Sequence, residues 1–202
     1  MLDDAEVGRI LVISAHPDDV DFGAAGTVAR WTDAAGQVGV HDLRFLGYPD
    51  GRVEATLDLR RDLARVIRQV RPDRVVCPSP ERNYVRLGIG HPDHRAVGSA
   101  ALDAVYPDAR NPFAFPELLS AEGLEAWIVR EVWISGTATP AHYVDVTHTF
   151  PRKIAALRAH VSQNGGRDGL EDFLRQRLAE AAARGGLPEG SLAEGFQVLD
   201  TG

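Results

Sequence analysis

A chain of 202 residues, 44% hydrophobic and 25% charged, can bury a large core without disulfide or metal staples, and one domain spanning 1–202 accounts for its length. A formal net charge of −7 and the lack of a basic stripe exclude a nucleic-acid binder that tracks phosphates, and the acidic balance argues against docking on an anionic membrane. No apolar run reaches the length of a membrane span, the acidic start Met1-Leu2-Asp3-Asp4-Ala5-Glu6 is unlike a signal peptide, and the single cysteine, Cys77, excludes an internal disulfide, so a reducing, cytoplasmic setting is expected.

The apolar run from Arg9 to Ala15 reads as a buried strand of a parallel sheet. It ends in His16-Pro17-Asp18-Asp19, and a helix is expected from about Gly23 to Ala35, ending near Gly36. Asp42–Leu46 reads as a strand closed by the turn Gly47-Tyr48-Pro49-Asp50-Gly51. Leu59, Leu63, Val66, Ile67 and Val70 repeat at helical spacing, and Pro72 ends that helix. Arg74–Cys77 is a second buried strand. A loop rich in Gly, Pro and Asn leads to His91-Pro92-Asp93-His94, from which a helix runs to about Val105. Residues 111–120 read as irregular, Trp127–Ile134 and Tyr143–Val146 as strands, and Phe150–Val161 and Leu170–Ala183 as helices. Strands alternating with helices predict a three-layer αβα, Rossmann-like α/β domain around a mainly parallel sheet.

His-Pro-Asp occurs twice, at His16-Pro17-Asp18 and His91-Pro92-Asp93, each followed by a further potential ligand, Asp19 or His94. Each cluster falls where a strand or loop hands over to a helix, the place where open α/β sheets bind ligands. His16 and Asp19, three residues apart on a tight turn, point to one side, and His94 adds a third arm. Two imidazoles and a carboxylate with an open position make a catalytic zinc set, although the same donors suit iron(II) and other divalent ions. Zinc lowers the pKa of a bound water to about 7 and polarises a carbonyl. Asp18, beside Asp19, is the candidate base. His91, protonated, is the candidate donor to the oxyanion and the leaving amine. Asp93 reads either as the partner that fixes an imidazole tautomer or as a helix N-cap. Cys77 and the three tryptophans, Trp31, Trp127 and Trp133, are expected in the core, and Arg60-Arg61 on a solvated helix face. Taken singly, His41, His142, His148 and His160 read as surface or structural.

Ala15-His16-Pro17-Asp18-Asp19 after an apolar strand, and Gly90-His91-Pro92-Asp93-His94 later, resemble the hallmarks of the LmbE-like (PIG-L) deacetylase family. Leu46-Gly47-Tyr48-Pro49-Asp50-Gly51 is similar to the family's substrate-side loop. Tyr143–Thr147 followed by Lys153, Ala156-Leu157 and Ser162-Gln163 is similar to its C-terminal part. The resemblance implies zinc on His16, Asp19 and His94, Asp18 as general base, His91 as stabiliser of the tetrahedral intermediate, and Asp50 holding a substrate hydroxyl. It implies removal of acetyl from an N-acetylglucosamine-type substrate, in the style of the actinobacterial mycothiol-pathway branch. An amidase of a thiol conjugate, a deacylase of an antibiotic sugar and a non-catalytic metal- or sugar-binding module are the alternatives. The expected partner is a small acylated amino sugar or related amide, with neither nucleic acid nor membrane, and a homo-oligomer is compatible with the sequence. Three features depart from the family pattern. Only Gly36–His41 separates the first helix from the next strand, roughly one βα unit less than usual, and this is read as a segment missing from the sequence rather than a deletion, since losing a strand would expose the sheet. Ile89 stands where many members have Tyr, and Val20 where an acid often follows the first motif.

Overall fold

The computed structural model describes residues 1–34, 42–84, 87, 90–164 and 168–202. The expected end of the first helix at Ala35, the shortened segment Gly36–His41 and Ile89 lie outside the described residues. The chain divides into two compact units, each built from separate stretches. The first comprises Met1–Ala15, Phe45–Ala138 and Val198–Gly202, and the second His16–Arg44 and Thr139–Gln197.

In the first unit, β1 (Ile10–Val12), β2 (Arg74–Pro78) and β3 (Glu131–Ser135) run parallel, with Ile10 opposite Arg74 and Arg74 opposite Glu131. The middle strand has Arg74 through Cys77 buried, as expected of a parallel strand covered on both faces. Helix α3 (Leu57–Val70) starts at Thr56, whose Oγ1 accepts the Leu59 N–H at 3.2 Å, and stops at Arg71, which is left-handed at φ 53° just before Pro72. Leu59, Leu63, Ala64 and Ile67 of α3 enter a core with Val75, Cys77, Val132 and Ile134 of the strands and Val97, Ala100 and Ala101 of α4 (Pro92–Asp103). Helix α4 approaches β2 closely. A Cβ on Gly98 would lie 2.3 Å from the Pro78 carbonyl oxygen, so only glycine lets the helix sit against the C-terminal end of β2. A π-helical turn (Ala104–Ala109) continues α4, and the short α5 (Pro116–Ser120) follows.

The second unit holds α1 (Asp19–Gly23), α2 (Ala25–Ala34), β4 (His142–Asp145), α6 (Phe150–Ala159), α7 (Val161–Asn164), α8 (Leu170–Arg184) and most of β5 (Ala193–Asp200). β4 and β5 pair antiparallel, His142 opposite Phe196. Gly26, in the first turn of α2, abuts Val146, whose Cβ would be 2.8 Å from a Cβ at that position. The last residues of β5 belong to the first unit, where Thr201 N–H donates to the Arg130 carbonyl at 3.2 Å. The strand order is β1-β2-β3-β5-β4, a mainly parallel five-stranded sheet flanked by helices, as the sequence predicts.

Several expected elements differ. The helix expected from Gly23 is two: α1 begins at Asp19, and the chain turns at Ala24 (φ −143°) before α2. Asp42–Leu46 forms no strand. Among the described residues it has no ladder partner, its Leu43 and Phe45 are exposed, and the Arg44 guanidinium folds back onto Asp42 at 2.7 Å. The strand expected from Trp127 starts at Glu131, and 111–120 contains α5. β5 was not anticipated, because Glu194 and Gly195 interrupt its apolar pattern. Trp31, Trp133 and Cys77 are buried, while Trp127 is partly buried with its indole N–H on the Pro72 carbonyl at 2.8 Å. Arg60 is not a freely solvated side chain, for its guanidinium donates twice to the buried Asp108 carboxylate, both at 2.9 Å.

Candidate metal and catalytic site

The residues singled out by the two motifs fall into two groups, one in each unit. In the second unit, His16 is the first residue and Asp19 closes a tight turn onto it. The His16 N–H donates to Asp19 Oδ2 at 2.9 Å, the Asp19 N–H donates to the His16 carbonyl at 3.3 Å, and His16 Nδ1 lies 3.5 Å from Asp19 Oδ2. The spacing of three thus brings an imidazole and a carboxylate together, both side chains about one-fifth exposed. Asp18 occupies the N-cap position of α1 without making a side-chain cap bond, so its carboxylate does not serve the helix.

In the first unit, the first turn of α4 carries His91, Asp93 and His94. The rings of His91 and His94 are 5.4 Å apart, and each offers a nitrogen within 4.8 Å of the other's. His91 itself is the N-cap: its Nδ1 accepts the Asp93 N–H at 3.3 Å. An accepting Nδ1 leaves the proton of the neutral ring on Nε2, so Nε2 is the atom that can donate outward. The capping role thus belongs to His91 and not to Asp93. The Asp93 carboxylate, 1% exposed, accepts the Gly51 N–H at 2.7 Å and the Val53 N–H at 3.3 Å. It ties the Gly47–Val53 loop to α4 and sets Asp50, which is exposed, with a carboxylate oxygen within 4.8 Å of its own. The other end of that loop is tied by Tyr48, whose hydroxyl donates to Asp62 of α3 at 2.9 Å. Burial first, then the bond to Asp62, pushes the Tyr48 phenol up to about 12.

The donors suit zinc or a similar divalent ion and not a thiolate-bound one. Cys77 is fully buried in the core of the first unit, and burial raises its thiol to about 12, so it stays protonated. Among the described residues, the second unit offers His16 with Asp19, and the first offers His91 with His94 and the carboxylates of Asp50 and Asp93. Among the buried charged residues outside the two motifs are Lys153, noticed only through family resemblance, and Glu194 in β5.

Residues 32–105 match the family model described as GlcNAc-PI de-N-acetylase, PIG-L. The stretch contains Asp50, His91, Asp93 and His94 and stops short of the first motif. A curated relative, the diacetylchitobiose deacetylase of Thermococcus kodakarensis, is 27% identical over 195 residues, 78% of this chain and 71% of its own length. The chain is a relative of the LmbE-like (PIG-L) proteins. Another such relative, the probable N-acetyl-alpha-D-glucosaminyl L-malate deacetylase 2 of Bacillus anthracis, is 26% identical over 77% of this chain and 81% of its own. The PIG-L-like fold is seen in the N,N'-diacetylchitobiose deacetylase of Pyrococcus horikoshii, which superposes with a TM-score of 0.83 over 97% of this chain and 85% of that one at 24% identity. No described helix of this PIG-L relative is long and apolar enough to cross a membrane.

Proposed function

We propose that the chain is a zinc-dependent N-deacetylase, one catalytic domain that removes acetyl from an N-acetylglucosamine-type amide. In this reading His16, Asp19 and His94 are the zinc ligands, as the family resemblance implies. The observation that carries it is that each His-Pro-Asp motif folds so that two potential donors stand together, His16 with Asp19 and His91 with His94. The reaction class rests on the relatives, whose names place acetylated glucosamine derivatives among their substrates.

Zinc, when bound, supplies Lewis-acid polarisation of the amide carbonyl and acidifies a water. Asp18, spared from capping, takes the proton of that water. His91 donates through Nε2 to the carbonyl oxygen as it gains charge, while its Nδ1 stays engaged with the α4 backbone. The departing amine takes the proton that Asp18 accepted, which balances the hydrolysis. Asp50, exposed on a loop held by Asp93 and Tyr48, accepts a hydroxyl of the sugar. Acetate release from an N-acetylglucosamine conjugate tests the proposal. Release that stops with a strong chelator and returns with zinc is expected; no release from this conjugate, with turnover of larger amides instead, would move the substrate to the amidase reading.

A further inference from the structure

Building on that proposed function, we infer that the buried Lys153–Glu194 ion pair is a positioning device that aims the His16–Asp19 turn. Helix α1 is a single turn of five residues, too short to hold its own shape, and it begins at the proposed ligand Asp19. Two of its last three carbonyls, those of Asp21 and Phe22, accept from Lys153 Nζ at 2.7 and 2.8 Å. The same ammonium donates to Glu194 Oε1 at 2.7 Å, with Lys153 at 0% and Glu194 at 2% exposure. The Glu194 carboxylate then accepts from the first turn of α2, the Gly26 N–H at 3.1 Å and the Thr27 N–H at 2.8 Å.

The pair therefore bridges the break at Ala24. A cation sits on the carbonyl end of α1 and an anion on the amide end of α2, the favourable polarity at both. Two neighbours keep the junction in register. His160 Nε2 lies 2.7 Å from Asp21 Oδ2, and Thr149 Oγ1 donates to the Gly26 carbonyl at 2.8 Å. Burying an ion pair is costly, and apolar side chains of like volume commonly serve stability as well or better. What apolar side chains cannot do is hold the free carbonyls and amides that fix the angle between α1 and α2. That angle sets the direction of the turn bearing His16, Asp18 and Asp19.

The test compares wild type with the double variant Lys153→Met/Glu194→Leu and with Lys153→Arg. Circular dichroism reports folding, and competition with a chromogenic chelator reports zinc affinity. Steady-state deacetylation separates kcat from KM. In the folded double variant, zinc affinity and kcat are expected to fall about tenfold or more with KM little changed. Lys153→Arg, which keeps the charge but shifts the donors, is expected to fall between the two and serves alone if the double variant does not fold. Wild-type zinc affinity and kcat in either folded variant overturn the inference while leaving the proposed function standing. No zinc uptake by the wild-type chain rejects the proposed function, and the inference with it.

Discussion

At the residue scale, neighbouring acids in one motif have different tasks because their surroundings differ. Asp19 is committed to the His16 turn, whereas Asp18 sits at a cap position it does not use. Asp18→Asn is expected to retain zinc and lose activity by about 10²- to 10⁴-fold, the usual contribution of a general base, read as kcat on the zinc-loaded protein. Asp145 tests the electrostatics away from the site. Its side chain accepts from the Thr147 hydroxyl at 2.6 Å and the Thr147 N–H at 2.9 Å, and the hydroxyl bond above all holds its carboxyl below the usual 3.8. A depressed carboxylate stabilises the fold fully above its unfolded value and loses that contribution as pH falls through the folded one. The Tm difference between wild type and Asp145→Ala should therefore persist at neutral pH and shrink below about pH 3.8, measured by thermal melts across pH.

At the element scale, the first turn of α4 is where packing and chemistry meet. Gly98 lets α4 approach β2, and the same helix begins with His91 and His94. Gly98→Ala places a methyl against the Pro78 carbonyl, and a cost of about 1–3 kcal/mol is expected in urea melts, with weaker zinc binding as the turn shifts. Leu63→Ala, deep in the same core, should cost about 2–5 kcal/mol in urea melts. Helix α3 was legible in the sequence because its five periodic apolar positions, three of them buried, lie between a cap at Thr56 and a stop at Pro72. β5 was not, because a strand that carries a buried ion at Glu194 and a glycine at 195 breaks the apolar run that marks strands. Asp42–Leu46 erred the other way: alternating Leu43 and Phe45 mimic a strand, but pairing partners and not alternation make one.

At the scale of the whole molecule, the sheet order and the placement of both motifs at strand-to-helix junctions follow from the α/β alternation that the sequence carries. The candidate site was legible as residue types, since the repeated His-Pro-Asp at His16 and His91, with Asp19 and His94 after it, stands out. Their support was not: the Asp93 tie to Gly51 and Val53, the Tyr48–Asp62 bond and the Lys153–Glu194 bridge join residues far apart in the chain, which no local pattern encodes. The proposed ligand set of His16, Asp19 and His94 makes one zinc per chain the expected stoichiometry. Zinc content per chain in wild type, Asp19→Ala and His94→Ala, measured on folded protein after dialysis against trace zinc, tests it most directly. One equivalent in wild type and near-complete loss in each variant are predicted; a full equivalent retained by either variant would contradict it.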